Sequence, residues 1–494
     1  MSLTKATYSM IQGAAYNVLD FGADSTGVSS SAAAFNLAVA NGGTVYVPPG
    51  TYKLDSKVTL SVNNTTLFLA ANVTLNLSGV AAVQSPFGNQ IHIIANDCAV
   101  IGSGPSSVLQ ITNGSQANAV GLLHHVRCVI RDLTIDGGKA GGSAIADDTF
   151  MSGVSIVVSG AAGVTEDAQV TVDNCLIKNF LQYGINIYGT KANSIKITNC
   201  TVRDIGKVGD ANSVGAGIVS TSSVSDLTIA NNTIKNNKQY GVFISSAGVN
   251  GSGFVVANNN VRENYNGIVF IEQSTYGSTS GQGLKQISVT GNNCYLNARS
   301  GIAFNVDTVG FLKNISITGN SCCDNVYAGI ELNCTATTPN ILSDLIVSGN
   351  ECNGNGTIQQ SAGVNVVNVQ GVPRSFTPYV YGSTSAGTAT YDSQLGSYTQ
   401  VGNIVTFEID ISWSGHTGTG DLILAGLVIP AANQSFRSIN FVATYNLVVT
   451  GQVAWGPEPT KTYGTLLAIN NGTWTPVAMD ASALLRVSGS YFID

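Results

Sequence analysis

The stretch Ile287-Ser-Val-Thr-Gly-Asn-Asn-Cys-Tyr-Leu-Asn-Ala-Arg-Ser-Gly-Ile-Ala-Phe-Asn-Val306 contains the unit that decides the fold. An apolar–polar–apolar strand comes first, an asparagine and a turn follow, and a glycine then opens a second strand. Both strands have a side-chain period of two, and neither has the helical period of 3.6 residues. A unit of this size cannot bury its apolar face alone, so the pattern predicts further copies stacked against it.

The same unit recurs between about residues 170 and 365. Successive glycines that open the second strand are separated by 24 to 34 residues, and they are Gly184, Gly217, Gly241, Gly267, Gly301, Gly329 and Gly363. Stacking these units about 4.8 Å apart buries one continuous core. The sequence therefore predicts an all-β protein built on a right-handed parallel β-helix.

Aligning the units places asparagines and cysteines in separate columns. Stacked amides can bond from coil to coil at a turn, and the asparagine column contains Asn232, Asn259, Asn292, Asn320 and Asn350. Cys294, Cys322 and Cys352 replace valine or isoleucine in another column, which predicts small buried thiols. The nine cysteines form no CxxC pair, so we expect no metal and no cofactor.

Composition excludes several classes of protein. The 494 residues exceed the roughly 250–300 at which a compact core stops growing, a limit that elongated repeat folds escape. A net charge of −7 without a basic run argues against nucleic acid as a partner. No run of about 18 apolar residues exists, which argues against a membrane span. Met1–Ala15 lacks an apolar signal core, so we expect synthesis in a cytoplasm.

Both ends of the chain depart from the repeat. Ser29–Ser31 are expected to cap a helix that partly buries Phe35, Leu37 and Val39 and covers the open end of the first coil. The repeat stops near Gln370, and alternating strands beyond it predict a C-terminal β-sandwich. The predicted domains are a capping segment at 1–59, a β-helix at 60–370, and a sandwich for trimerisation or glycan binding at 371–494.

Two segments carry a family resemblance. Tyr16-Asn-Val-Leu-Asp-Phe-Gly-Ala-Asp24, followed by Gly42-Gly-Thr-Val-Tyr-Val-Pro-Pro-Gly-Thr-Tyr52, resembles the opening segment of the pectate-lyase superfamily in the form common in bacteriophage tailspikes. A serine stands where an acidic residue often precedes the helix. Gly382-Ser-Thr-Ser-Ala-Gly-Thr-Ala-Thr-Tyr391 is similar to the C-terminal domain of many tailspikes, which holds three chains together.

This resemblance implies a location and partners. It implies a homotrimer in the virion tail, made in the host cytoplasm and acting at the bacterial surface. An N-terminal region would join the phage tail or baseplate, although an attachment domain could also be missing from this chain. The implied substrate is a bacterial surface polysaccharide, either capsule or O-antigen.

Candidate site residues lie on the glycine-opened strands. Glu272 and Asp307 follow such strands in consecutive coils and are predicted as the two catalytic acids. Two carboxyls about 5–5.5 Å apart suit a retaining glycosidase, and about 6.5–9.5 Å an inverting one. Glu331 lies earlier in its strand and is the reserve candidate. The predicted substrate-binding residues are Tyr188, which would stack on a sugar ring, together with Arg262, Asn305 and Asn333.

Other interpretations remain open at this stage. All three acids could be solvated surface groups, and Asp204, Glu263 and Asp324 form a competing column of outward acids. We expect endo-glycosidic hydrolysis, with a polysaccharide lyase and a non-catalytic adhesin as alternatives. A lyase leaves a conjugated double bond, so rising ultraviolet absorbance would separate it from a hydrolase.

Overall fold

The computed structural model describes residues 14–78, 88–112, 117–138, 152–159, 164–206, 215–222, 224–246, 250–272, 282–306, 310–334, 342–355, 359–360, 369–370, 374–401, 404–433 and 439–493. Each repeating unit passes in turn through three parallel sheets, here named A, B and C. Strands pair with the same strand of the next coil in parallel register, as in Ile197↔Ile229 of sheet A and Ile268↔Ile302 of sheet C. The predicted parallel β-helix is confirmed.

The strands of sheet A are Tyr16–Asn17, Thr44–Val47, Thr66–Leu69, Ala99–Ile101, Val129–Arg131, Thr171–Asp173, Ile195–Thr198, Ser225–Ala230, Gly251–Ala257, Gln282–Thr290, Gly310–Thr318 and Leu342–Ser348. Those of sheet B are Thr26–Ser30, Gly50–Leu54, Val73–Leu77, Ser107–Ile111, Thr134–Asp136, Leu176–Lys178, Thr201–Arg203, Thr233–Lys235, Asn260–Arg262 and Asn293–Tyr295. Those of sheet C are Val58–Leu60, Asn89–Ile93, Asn118–Leu123, Ser152–Val157, Tyr183–Tyr188, Ala216–Thr221, Tyr240–Ser245, Asn266–Glu272, Ser300–Val306, Ala328–Cys334 and Gln359–Gln360.

The β-helix begins earlier than predicted. Tyr16–Asn17 already pairs in parallel with Thr44–Val47, so the capping segment is built into the first coil rather than preceding residue 60. A 3₁₀ turn spans Val18–Phe21, and one α-helix, Ala32–Val39, is found among the described residues. This helix buries Phe35 and Val39 as expected, but Leu37 is 60% exposed and lies on its outer face.

Two asparagine ladders run along the turns of the coils. In the predicted ladder, the side-chain amide of each member donates to the side-chain oxygen of the next, as between Asn259 and Asn292 at 2.9 Å. A second ladder, which the sequence analysis missed, bonds in the same way between sheets B and C, except at its last step, where the Asn325 backbone N–H donates to Asn355 Oδ1 at 3.2 Å. The first contains Asn232, Asn259, Asn292, Asn320 and Asn350, and the second Asn237, Asn264, Asn297, Asn325 and Asn355.

The cysteine column lies inside the core. Cys294 and Cys322 are fully buried free thiols, and burial together with the neighbouring thiol Cys294 raises the pKa of Cys322. Cys352 is only half-buried, so burial is confirmed for the first two and is partial for the third. The described thiols of this column therefore occupy positions that valine and isoleucine fill in earlier coils.

The C-terminal unit is antiparallel. A longer sheet contains Arg374–Phe376, Thr390–Val401, Ile404–Ser414, Ala483–Phe492, Asn440–Tyr445, Gln452–Trp455, Leu467–Asn470 and Thr473–Pro476. A short sheet contains Tyr379–Gly382, Leu422–Ala425 and Tyr463–Thr465, and Val369–Gln370 pairs with the longer sheet in parallel. Both sheets contribute to one core around Trp413, Trp455 and Phe407, which matches the predicted sandwich.

Within the described part of the chain, the search for a membrane-crossing helix finds none that is sufficiently long and apolar.

Replacing one ladder asparagine should destabilise the β-helix. Asn292 is 1% exposed, and its amide donates to the Val256 carbonyl at 2.8 Å and to Asn320 at 3.0 Å. Asn292→Ala leaves buried backbone groups without partners, at roughly 1–3 kcal/mol each. We expect a loss of about 2–4 kcal/mol in chemical denaturation. The neighbouring Asn293 is exposed, so Asn293→Ala is the control and should change stability little. Equal effects of the two variants would contradict the structural role of the ladder.

Candidate active site

The outer face of sheet C carries a buried apolar column. Val219, Phe243, Val269 and Ala303 occupy one register column, and each is at most 4% exposed. Tyr183, Ala216 and Tyr240, each of which precedes an opening glycine, pack on the same side, with the Tyr240 and Phe243 ring centroids 4.8 Å apart. This apolar face is therefore covered within the single chain, and it needs no neighbouring subunit to bury it.

Glu272 is enclosed rather than presented to solvent. It shares the inward side of its strand with Phe270 and is 0% exposed. Its two carboxylate oxygens accept from the Ser246 backbone N–H at 2.5 Å and from the Ser246 hydroxyl at 2.6 Å. A group in this position does not contact a polysaccharide outside the coil. The structure therefore argues against the catalytic role predicted for Glu272.

Asp307, the predicted partner of Glu272, lies outside the described residues. In the adjacent strand, Val306 is opposite Glu272 and Ala303 is opposite Glu331. In the sequence, Asp307 comes four residues after Ala303. The predicted pairing of Asp307 with either acid stays a prediction.

Glu331 is held in the middle of its strand, Ala328–Cys334, by two donors. Its side chain lies on the outer face of sheet C, in the register column of Ala303, and is 5% exposed. The Ser300 hydroxyl donates to one carboxylate oxygen at 2.6 Å, and the Arg299 guanidinium donates to the other at 2.9 Å. Both carboxylate oxygens therefore accept a hydrogen bond from the preceding coil.

Arg299 belongs to a column of exposed side chains that we call the tyrosine–arginine corner: Tyr265, Arg299 and Tyr327. Backbone bonds connect the three coils, from Arg299 N to Tyr265 O at 2.7 Å and from Tyr327 N to Arg299 O at 2.9 Å. Tyr265 and Tyr327 are 48% and 51% exposed, and the Arg299 guanidinium lies 5.5 Å from the Tyr327 ring centroid. Exposed aromatic rings beside a guanidinium and a carboxylate can stack on sugars and bond their hydroxyl groups.

The sequence analysis missed this corner because it considered the positions after the glycine and the acids at the turn, but not the position two residues before the glycine. Arg299 and Tyr265 lie two residues before their glycines, where the chain leaves the asparagine turn. The alternation of a strand does not extend across that turn, so side-chain direction there cannot be read from period two. The sequence did contain a signal for the corner, because Tyr265, Arg299 and Tyr327 share the position two residues before the opening glycine.

The predicted binding residues are not all brought together. Asn305 and Asn333 are register partners on sheet C, two residues beyond the position of Glu331. Tyr188 is 49% exposed but belongs to a coil several rungs away. Arg262 ends a strand of sheet B, with its guanidinium 5.9 Å from the Tyr295 ring centroid. Arg262 is three residues before Tyr265 in the chain, and the turn at Glu263 and Asn264 separates the two residues.

The competing acids adopt the predicted turn position. Asp204, Glu263 and Asp324 all have left-handed backbone conformations with φ between 54° and 59°. Arg203 pairs with Asp204, and Arg262 pairs with Glu263. These two pairs agree with the interpretation as structural ion pairs at the turn.

A polar region on the opposite half of sheet C was also missed. His92 and Ser155 lie in one outer column with Gly121 between them, and they are 8% and 1% exposed. Neither His92 Nε2 nor Ser155 Oγ has a hydrogen-bond partner among the described residues. Burial lowers the pKa of His92 to about 4, with smaller contributions from Lys57 and His125.

Acid should destabilise the chain through His92. Its pKa is lower in the folded state than the unfolded value of 6.5, so the unfolded chain takes up the proton first as pH falls. Stability is lost between pH 6.5 and 4, by about 2–3 kcal/mol at most. Denaturation midpoints measured across this range should fall less steeply in His92→Gln. An unchanged pH dependence in that variant would show that His92 is not the group involved.

Comparisons with known proteins agree with this architecture. No family model matches the chain. The solved structure of the Dettilon tailspike protein is similar over 97% of this chain and 94% of its own, with a TM-score of 0.66 and 15% identity. At that identity the likeness shows the fold, which is the β-helix fold that the sequence resemblance to tailspikes predicted.

Two further proteins share shorter or weaker similarity. PfbA, a surface adhesin of Streptococcus pneumoniae, matches 80% of this chain and 98% of its own at 14% identity, with a TM-score of 0.47. Mannuronan C5-epimerase AlgE1 of Azotobacter vinelandii is 26% identical over 273 residues, which is 53% of this chain. The match spans only 16% of that epimerase.

Proposed function

We propose that the chain is a phage tailspike that binds and depolymerises a bacterial surface polysaccharide, either capsule or O-antigen. The observation that carries the proposal is Glu331, a nearly enclosed carboxylate placed beside the exposed Tyr327 ring and the Arg299 guanidinium. The names of the similar proteins support it, since one is a tailspike and another an epimerase of a polysaccharide. The corner offers ring-stacking surfaces next to an acid–base group, as cleavage of a sugar chain requires.

The proposed reaction is endo-glycosidic hydrolysis, with Glu331 as the base or nucleophile. Hydrogen bonds from Ser300 and Arg299 fix the position of its carboxylate, which would activate water or attack the anomeric carbon. The second carboxyl must protonate the leaving oxygen. The other acid in the described strands of sheet C is the enclosed Glu272, so we propose that the second carboxyl is supplied from outside these strands.

Removing the Glu331 carboxylate should abolish cleavage. Glu331→Gln keeps the shape of the side chain but removes its basicity, so the rate should fall roughly 10²–10⁴-fold. The assay is viscosity or size-exclusion analysis of polysaccharide from strains on which the protein forms haloes. Glu263→Gln, which removes a 43% exposed carboxylate on the same corner, is the matched control and should retain activity.

Other outcomes separate the alternatives. Wild-type cleavage by Glu331→Gln would place the site elsewhere. Rising ultraviolet absorbance during digestion would identify a lyase in place of a hydrolase. Binding without any change in polymer size would leave a non-catalytic adhesin.

We also propose that the chain is a homotrimer attached to the phage tail or baseplate through an N-terminal region. Large apolar side chains are exposed in the C-terminal unit, including Leu395, Tyr445 and Val448 at 67%, 68% and 86%. We propose that these side chains lie in the interface between the three chains, where apolar surface is commonly buried. Light scattering should give about three times the chain mass of 50.9 kDa, and a mass of one chain would contradict the trimer.

A further inference from the structure

The three residues of the tyrosine–arginine corner form a column that runs parallel to the axis of the β-helix. Tyr265, Arg299 and Tyr327 occupy consecutive coils, which are about 4.8 Å apart in a β-sheet. The two tyrosines are therefore separated by about 10 Å along the axis, with Arg299 midway. This spacing is comparable to the advance of an extended sugar chain over two pyranose units. A polysaccharide lying along the axis would meet one side chain of the column per sugar.

The Arg299–Glu331 pair is oriented with its positive end outward. The Glu331 side chain is 6% exposed, whereas the Arg299 side chain is 41% exposed. Among the described residues, the Arg299 guanidinium donates one hydrogen bond to Glu331, out of the five N–H donors that a guanidinium carries. The outward side of the guanidinium thus presents charge and donors to whatever lies between the two tyrosine rings, which favours a carboxylate.

The other charged residues near the corner do not favour an anion as Arg299 does. Arg262 and Glu263 pair with each other and leave little net charge. Asp324 is exposed three residues before Tyr327, at the turn. Because Asp324 repels an anion on its own side, it disfavours an acidic sugar over Tyr327 and leaves Arg299 as the position suited to one.

We infer that the polysaccharide runs parallel to the helix axis over this corner, with an acidic sugar at Arg299 and neighbouring sugars stacked on Tyr265 and Tyr327. This inference rests on the proposed function and adds a substrate class, namely polymers that carry a carboxylate in their repeating unit. Arg299 is a specificity-determining residue in this arrangement, since its guanidinium binds the carboxylate and fixes the register of the chain.

The test measures binding to an array of purified capsule and O-antigen polysaccharides, each applied before and after chemical reduction of its carboxyl groups. The full-length Glu331→Gln variant is the reference, because it should bind without cleaving. In that background Arg299→Gln leaves no unpaired buried charge. It should weaken binding of the native acidic polymers by roughly tenfold or more. Lys285→Gln removes an exposed charge on sheet A and should have less than about a twofold effect.

Carboxyl reduction of the polymer should weaken binding by the reference variant as much as Arg299→Gln does, and the two losses should not add. Added salt should weaken binding of the native polymer only. Binding that is indifferent to carboxyl reduction, or confined to neutral polymers, would overturn the acidic-sugar inference and leave depolymerisation standing. Binding to no polymer would overturn the proposed function and the inference with it.

Discussion

Hydrogen bonding from one coil to the next is the constraint on which the rest of the structure depends. Strands of two to nine residues bond only to the equivalent strands of adjacent coils, so no unit is satisfied alone. The backbone groups of the turns between strands also need hydrogen-bond partners. The two asparagine ladders supply them, because their side-chain amides bond both to backbone carbonyls and to the asparagine of the next coil. The register is therefore fixed at the turns as well as in the sheets.

This constraint also positions the candidate site. Because each coil repeats the path of the last, a residue at one aligned position becomes part of a column along the axis. The second ladder holds the turn immediately before Tyr265, Arg299 and Tyr327, through Asn264, Asn297 and Asn325. The backbone of the corner is thus held in place by hydrogen bonds although its side chains are exposed, which suits the recognition of an extended polymer.

Sequence patterns predicted most of the fold and little of the site. Period two and the glycine spacing revealed the strands, and the first asparagine ladder was visible because its members align with few gaps. The direction in which a side chain points was harder to predict than the strands themselves. Glu272 lies on the inward side with Phe270, as the alternation of its strand requires, although it was predicted to face a substrate. Leu37 lies on the outer face of its helix. Arg299 and Ser300 precede the strand interior, where alternation gives no guide.

A crystal structure of the Glu331→Gln variant with a bound fragment of its polysaccharide tests the central claim most directly. The account predicts a sugar chain parallel to the helix axis, with rings against Tyr265 and Tyr327 and the scissile linkage within reach of residue 331. A fragment bound only elsewhere on the β-helix, or only on the C-terminal unit, would contradict it.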